Sequence, residues 1–246
     1  MASQTLKDGS SILYVMRVIA IIPAYNEEET IGDVIRETKK YVGKYIEKIL
    51  VIDDGSQDKT SQIVNQLGVD LVVHPINRGY GAAQRTGHEI AMMEGYDYIL
   101  QLDADGQHDP KYIPILLEEA KKENWDIILG SRFLNDSHKK YSFARKMGIK
   151  FFTGVVNMFA NTNLTDVTSG FKVYKTESLK KLSPYSDKHP AVEQILEAAK
   201  KDFKIKEVSV VMSTRKRGES HLNLENFILY PLRAIEAILK VLIFRR

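Results

Sequence analysis

From Arg17 the chain alternates between short apolar runs rich in β-branched residues and longer stretches whose apolar positions recur every three or four residues. Short continuous runs suit buried strands, and the three-to-four spacing suits one face of a helix. Strands are predicted at 17–22, 46–53, 71–74, 96–102 and 126–130, with helices at 27–42, 58–67, 80–94 and 110–122 between them. Strands separated by helices build an α/β fold, a mostly parallel central sheet flanked by helices. Asn26 with Glu29 three residues later is expected to cap the first helix, and Pro110 suits a first helical turn.

Past Phe133 the rhythm changes. Phe143, Met147, Phe151, Val155 and Phe159 fall at three- and four-residue spacing, which predicts an amphipathic helix over 142–160 with that face packed on the core. A turn and strand (166–175), a helix (189–201) and a last strand (205–212) follow. A basic loop, T-R-K-R-G-E-S-H, then leads into a final amphipathic helix. That helix has Arg233, Glu236 and Lys240 on one side and Phe227, Ile228, Ile235, Leu239 and Leu242 on the other. No repeat or linker divides the chain. The expected organisation is a tail over 1–16, one domain over 17–222 and a C-terminal amphipathic helix over 223–246.

Each predicted strand ends in a polar loop: P-A-Y-N-E-E, D-D-G-S-Q-D, P-I-N-R-G, D-A-D-G-Q-H and S-R-F. In a parallel sheet these loops share one edge, where α/β proteins bind ligands. The densest is Y-I-L-Q-L-D-A-D-G-Q-H-D-P (98–110), where a buried run gives way to several oxygen donors. Counted from Asp103, the sixth and twelfth positions are His108 and Pro114, so the segment is no EF-hand loop. A Mg²⁺ or Mn²⁺ site needs one or two carboxylates, with substrate phosphate oxygens completing the shell. Asp103, Asp105 and Gln107 supply that much.

Charge and composition narrow the partners. A net charge of +3, with no long basic run, gives no footprint for nucleic acid. The absence of cysteine removes disulfides, thiolate metal sites and cysteine catalysis, and fits a reducing compartment. No secretory signal and no run of about eighteen apolar residues is evident, so the protein is expected in the cytoplasm without a membrane span.

Taken in order, I-P-A-Y-N-E-E, V-I-D-D-G-S-Q-D, N-R-G-Y-G-A-A, Q-L-D-A-D-G-Q-H, G-S-R-F, D-x-T-S-G-F and R-K-R-G-E-S-H resemble a family-2 glycosyltransferase over about residues 17–222. The nearest branch makes dolichyl-phosphate mannose and polyprenyl-phosphate glucose. The resemblance implies the GT-A fold, a nucleotide-diphospho-sugar donor (UDP or GDP), a divalent cation and transfer with inversion to a polyprenyl or dolichyl phosphate. It implies that Pro23, Tyr25, Glu27, Asp54 and Asp103 bind the donor nucleotide and that Asp105 and Gln107 hold Mg²⁺ or Mn²⁺. It further implies that Ser131, Arg132 and Arg215 meet the acceptor phosphate, with Asp103, Asp105 and Arg215 as the catalytic set. His221 stands where that branch carries lysine in R-x-x-G-E-S-K, which weakens the acceptor assignment more than the donor one. A membrane-borne acceptor implies a peripheral enzyme on the cytoplasmic face, with the C-terminal helix lying in the interface plane or packed on protein.

Other functions make different demands. A family-2 enzyme acting on a sugar hydroxyl would need a carboxylate base, for which Asp166 and Glu193 are the candidates, Glu193 being read rather as structural or solvated. A dinucleotide-binding oxidoreductase would use G-Y-G-A-A-Q (79–84) at a helix start, yet that fingerprint wants glycine or alanine at Gln84. A sugar nucleotidyltransferase would want a glycine-rich, arginine-bearing loop after the first strand, where P-A-Y-N-E-E stands. A non-catalytic binding module would not need the D-A-D or the arginine loop.

Overall fold

The computed structural model describes residues 16–135, 139, 141–187, 190–213, 236 and 238–243. The N-terminal tail up to Val15 and the basic loop with Arg215 and His221 lie outside the described residues. In chain order the strands are β1 (Val18–Ala24), β2 (Lys48–Asp53), β3 (Asp70–Val73), β4 (Tyr98–Gln101), β5 (Ile127–Ser131), β6 (Lys172–Lys175) and β7 (Ile205–Ser209). The helices are α1 (Ile31–Lys39), α2 (Thr60–Gln66), α3 (Tyr80–Met93), α4 (Ile113–Lys122), α5 (Phe143–Ala160), α6 (Thr176–Leu179) and α7 (Pro190–Lys200), with a 3₁₀ turn at Pro110–Tyr112 before α4.

The seven strands form one sheet in the order β3-β2-β1-β4-β6-β5-β7. All neighbours are parallel except β6, which runs antiparallel between β4 and β5. The loops after β1 to β5 therefore do reach one edge. One core fills the face covered by α1, α2 and α4, the other the face covered by α3, α5 and α7, each built on alternate residues of the same strands. Ile19 and Ile21 enter one core, Ala20 and Ile22 the other.

Several local expectations change. Helix α1 starts at Ile31 with Thr30 at its cap, and no side chain caps it. Asn26 instead adopts φ 52° and accepts from the Gln57 amide at 2.8 Å, so it ties two loops together rather than forming a capping box with Glu29. Pro110 does open a helical turn, with Asp109 accepting from the Lys111 amide.

Helix α5 turns the opposite way from the expectation. Ile149, Phe152, Thr153 and Val156 face the core, whereas Phe143, Met147, Phe151 and Phe159 are exposed and Val155 is half-buried. This helix has apolar residues on two faces, so spacing alone left its rotation open. The same ambiguity affects the chain end. Ile238 and Val241 are buried in the second core, Lys200 Nζ donates to the Val241 carbonyl, and Leu239 points outward. At this described stretch the C-terminal helix is packed on its own domain. Among the described residues no helix is long and apolar enough to cross a membrane.

Helix α3 lies against β1 and β2 at Gly87, where an added Cβ would come 2.5 Å from Ile21 Cγ2. Both groups are buried in a close-packed layer with nowhere to relax. Gly87→Ala is expected to destabilise the protein by about 1–3 kcal/mol, as overpacked cores do, and urea unfolding checks it.

Candidate active site

The ends of β1 and β2 are joined before any ligand arrives. The Asn26 amide donates to Ser56 Oγ and the Glu27 amide to Thr60 Oγ1, while Glu28 and Asp58 exchange bonds with each other's loops. Pro23 is buried inside β1, paired in register with Ile52, so it shapes the strand end. Tyr25 is half-buried at the strand's mouth, and Glu27 is buried with its Oε2 accepting from Thr30 Oγ1.

Asp54, 2 % exposed, accepts from His74 Nδ1 at 2.6 Å, from the Gly79 amide at 2.7 Å and from the Arg78 amide. His74 Nε2 meets Thr86 Oγ1 on α3. The carboxylate thus brackets the β2 and β3 loops to the start of α3. A base-binding role, expected for Asp54 from the resemblance, has to share a carboxylate that the protein already uses heavily.

The start of α3 also settles the dinucleotide reading. The amides of Arg78 and Gly79 go to Asp54, and the Gly81 amide donates to the Asp187 carbonyl at 2.6 Å. A Cβ at Gly81 would overlap the Ser186 carbonyl. The glycines serve backbone packing, and those amides are not offered to a pyrophosphate.

At the end of β4, Asp103 accepts from the Tyr80 hydroxyl at 2.5 Å, and its amide donates to His108 Nδ1 at 2.9 Å. The His108 ring stacks on Phe171 and turns Nε2 toward Asp103 Oδ2, 3.6 Å away. Gly170 closes the other side, because a Cβ there would lie 2.7 Å from Asp103 Oδ2. Two residues on, the Gln107 amide donates to Asp105 Oδ1 across Gly106, whose φ of 72° the turn requires. This turn brings the Asp105 carboxylate and the Gln107 carboxamide to one half-exposed loop. Among the described residues no three His, Cys, Asp or Glu side chains gather as a metal cage. A cation held by few protein oxygens and completed by diphosphate oxygens fits this donor set.

The acceptor-side expectations fare differently. Ser131 is buried, its hydroxyl against Thr165 Oγ1 at 2.6 Å and accepting from the Phe133 amide. Arg132, 5 % exposed, donates from Nε and Nη2 to the two oxygens of fully buried Asp166 at 2.5 and 2.6 Å, and also to Thr168. Ser131 is thus placed to tie loops, and Arg132 to hold the D-V-T-S-G-F segment. Asp166, so paired, makes a poor general base. Glu193 is buried and accepts from the Ser186 amide, a structural job and not a solvated one.

Two residues emerge that the sequence reading passed over. Arg145 on α5 lies over the Tyr141 ring at 4.2 Å and reaches Gln107 Oε1 at 3.4 Å. Lys172 is wholly buried on β6, and its Nζ has no hydrogen-bond partner among the described residues. Burial pushes its ammonium down to about 8, against the opposing pull of Asp103 and Asp166. Period two places Lys172 on the same face as buried Tyr174, and a lysine on the inward face of a buried strand was the available signal. Behind it, burial holds His88 near 3 and so neutral, its Nδ1 facing the Tyr185 hydroxyl and its Nε2 facing Gln101 Oε1.

A mostly parallel sheet of this order, flanked by helices and with a D-x-D loop at its carboxyl edge, is the GT-A type of α/β fold. The pattern of glycosyl transferase family 2 matches residues 19–183, and the chain belongs to that family. It is 29 % identical over 225 residues to the undecaprenyl-phosphate mannosyltransferase of Micrococcus luteus, covering 85 % of this chain and 88 % of that one. To the polyprenol monophosphomannose synthase of Mycolicibacterium smegmatis it is 27 % identical over 231 residues, 89 % and 86 % of the two chains. Glucosyl-3-phosphoglycerate synthase from Mycobacterium tuberculosis, solved with Mn²⁺ and uridine-diphosphate-glucose, superposes with a TM-score of 0.71. At 19 % identity over 92 % of this chain and 78 % of that one, it shares the fold.

The buried Lys172 ammonium sets a stability trend with pH. The folded protein holds this proton less tightly than the unfolded chain, so between about pH 8 and 10.5 the unfolded state binds more protons and stability rises with pH. Below that window the fold carries the full cost, of order 3 kcal/mol. Lys172→Met is expected to be at least as stable as the parent at pH 7 and to lose this rise. Denaturant melts at pH 7, 8.5 and 10 read both effects.

Proposed function

We propose that the protein is an inverting, metal-dependent glycosyltransferase that moves a hexose from a UDP- or GDP-sugar to a polyprenyl or dolichyl phosphate. The observation that carries this reading is the Asp103 to His108 loop, which offers oxygen donors at the sheet edge beside the β1 and β2 loops. The relatives named for polyprenyl-phosphate mannosyl transfer support the acceptor class.

In this reading Tyr25, Glu27 and Asp54 line the nucleotide's place, with Pro23 fixing the strand end behind them. Asp105 and Gln107 would hold Mg²⁺ or Mn²⁺ against the donor diphosphate, where the cation would offset charge on the departing nucleoside diphosphate. Asp103, fixed by Tyr80 and His108, holds the shape of the loop that carries Asp105. A lipid phosphate is already an oxyanion near neutral pH, so the chain's task on the acceptor side is placement more than proton removal. Arg145, with an exposed guanidinium beside Gln107, is a candidate for that placement along with Arg215. Arg132 contributes by holding its segment through Asp166. The engagement of Asp166 and Glu193 counts against a hydroxyl acceptor, which would need a free carboxylate base. Attack from the face opposite the leaving diphosphate inverts the anomeric carbon.

The test is a screen of UDP- and GDP-sugars with a polyprenyl phosphate, the glycosyl phosphate lipid being read by mass spectrometry. Asp105→Ala is expected to fold normally and to lower turnover by about a hundred- to a thousandfold, as deletion of one major electrostatic stabiliser does. Near-normal turnover of that variant, or full activity in excess chelator, contradicts the metal assignment. Transfer to a neutral sugar in preference to every lipid phosphate contradicts the acceptor.

A further inference from the structure

Lys172 stands on β6 opposite Gln101 of β4 and Leu129 of β5, wholly buried on the face of the sheet that α3 and α7 cover. Its Nζ lies 5.9 Å from the centre of the Tyr174 ring and has no hydrogen-bond partner among the described residues. The polar groups around it bond to one another instead. Gln101 Oε1 faces His88 Nε2, the Gly170 carbonyl accepts from the Gln101 carboxamide, and Tyr80 donates to Asp103. Burial brings the Lys172 pKa down to about 8 against the pull of Asp103 and Asp166, so the side chain stays charged at pH 7. A buried ammonium without a bonded partner weakens a fold, and a methionine of similar shape would not. A group kept at the expense of stability, beside a binding edge, points to function.

Asp166 is already matched by the Arg132 guanidinium, which meets both of its oxygens. Asp103 has no arginine or lysine bonded to it among the described residues. Tyr80 gives it a hydrogen bond, and His108 Nε2 stands 3.6 Å away. Because β6 runs antiparallel to β4, the chain from Lys172 back to Gly170 runs beside the chain from Gln101 on to Asp103, which sets Lys172 behind that carboxylate.

We propose that Lys172 is a positioning residue for the donor: from behind Asp103 its ammonium offsets the carboxylate's charge, so that an anionic nucleoside diphosphate can be held beside it. The inference rests on the reading of the D-x-D loop as the donor's place. In a buried layer a unit charge acts over several ångströms with little screening, so the effect needs no contact between Lys172 and the ligand. A positive charge so placed favours an anion and disfavours a cation. It leaves an uncharged nucleoside unaffected. A packing defect would not sort ligands by their charge.

The full chain and its Lys172→Met variant are compared at pH 7, after melting curves have checked that both are folded. Calorimetry measures the binding of UDP and GDP in saturating Mn²⁺, and of uridine and guanosine. Electron paramagnetic resonance of free Mn²⁺ measures metal binding without nucleotide. The expected result for the variant is diphosphate binding weakened about tenfold, nucleoside binding unchanged, and Mn²⁺ binding unchanged or tighter. In the assay its KM for the nucleotide sugar should rise about tenfold while kcat changes little. Lys172→Arg, which keeps the charge, is expected to recover most of the diphosphate affinity. Diphosphate binding equal to the parent's in the methionine variant overturns the inference. So does an equal loss for diphosphate, nucleoside and Mn²⁺, or a methionine variant that is unfolded at pH 7, since the lysine would then serve the fold. A parent that binds neither UDP nor GDP brings down the donor reading itself, and the inference with it.

Discussion

The confinement of Asp103 is the constraint around which the rest of the site is arranged. Tyr80 from α3, His108 from its own loop and the backbone of Gly170 close on one carboxylate, and the room left is too small for a single methyl at position 170. Each contact comes from a different part of the chain. The N-terminal half supplies the strand and the helix, and the segment after α5 supplies the glycine. The next residues, Ala104 to Gln107, inherit their path from this fixed point. A half-exposed loop is thereby anchored at its start, as the proposed placing of a cation against a diphosphate would require.

Two further buried acidic groups serve the same end from either side. Asp54 draws the β2 and β3 loops onto the start of α3, and Asp166 draws the segment before β6 onto the end of β5 through Arg132. Asp54 pairs with the buried His74 ring as well as the Arg78 and Gly79 amides, and Asp166 satisfies a guanidinium that would otherwise be buried unpaired. Residues that look like ligands in a motif can therefore be the frame of the site. The side chains nearer solvent, Asp105, Gln107 and Arg145, are the ones with room to meet substrate. Lys172 is the exception, a cation that the fold buries at a cost and that no described hydrogen bond explains.

Much of this was legible in the sequence. Strands β1 to β5 read correctly because buried parallel strands show continuous β-branched runs with polar ends, and the polar ends located the site edge. What strand order cannot reveal is the placing of β6, which enters antiparallel between β4 and β5 and so carries Gly170 and Lys172 under the D-x-D loop. The rotation of α5 escaped because both of its faces are apolar, and the exposed one carried the more regular spacing. Asn26 misled for a different reason: its side chain was read as a cap for its own helix, but it bonds a loop thirty-one residues away. Ser131 and Arg132 were recognised as a motif, while the partners that bury them, Thr165 and Asp166, lie far along the chain.

The most direct test of the central claim is a crystal structure of the protein soaked with Mn²⁺ and a nucleoside diphosphate, with anomalous scattering used to locate the metal. The account predicts one Mn²⁺ peak within about 2–2.5 Å of an Asp105 carboxylate oxygen and the Gln107 carboxamide oxygen. Diphosphate oxygens should complete its shell, and the nucleoside should lie against the β1 and β2 loops. A bound nucleotide with no metal at this turn, or Mn²⁺ held by other residues, would contradict it.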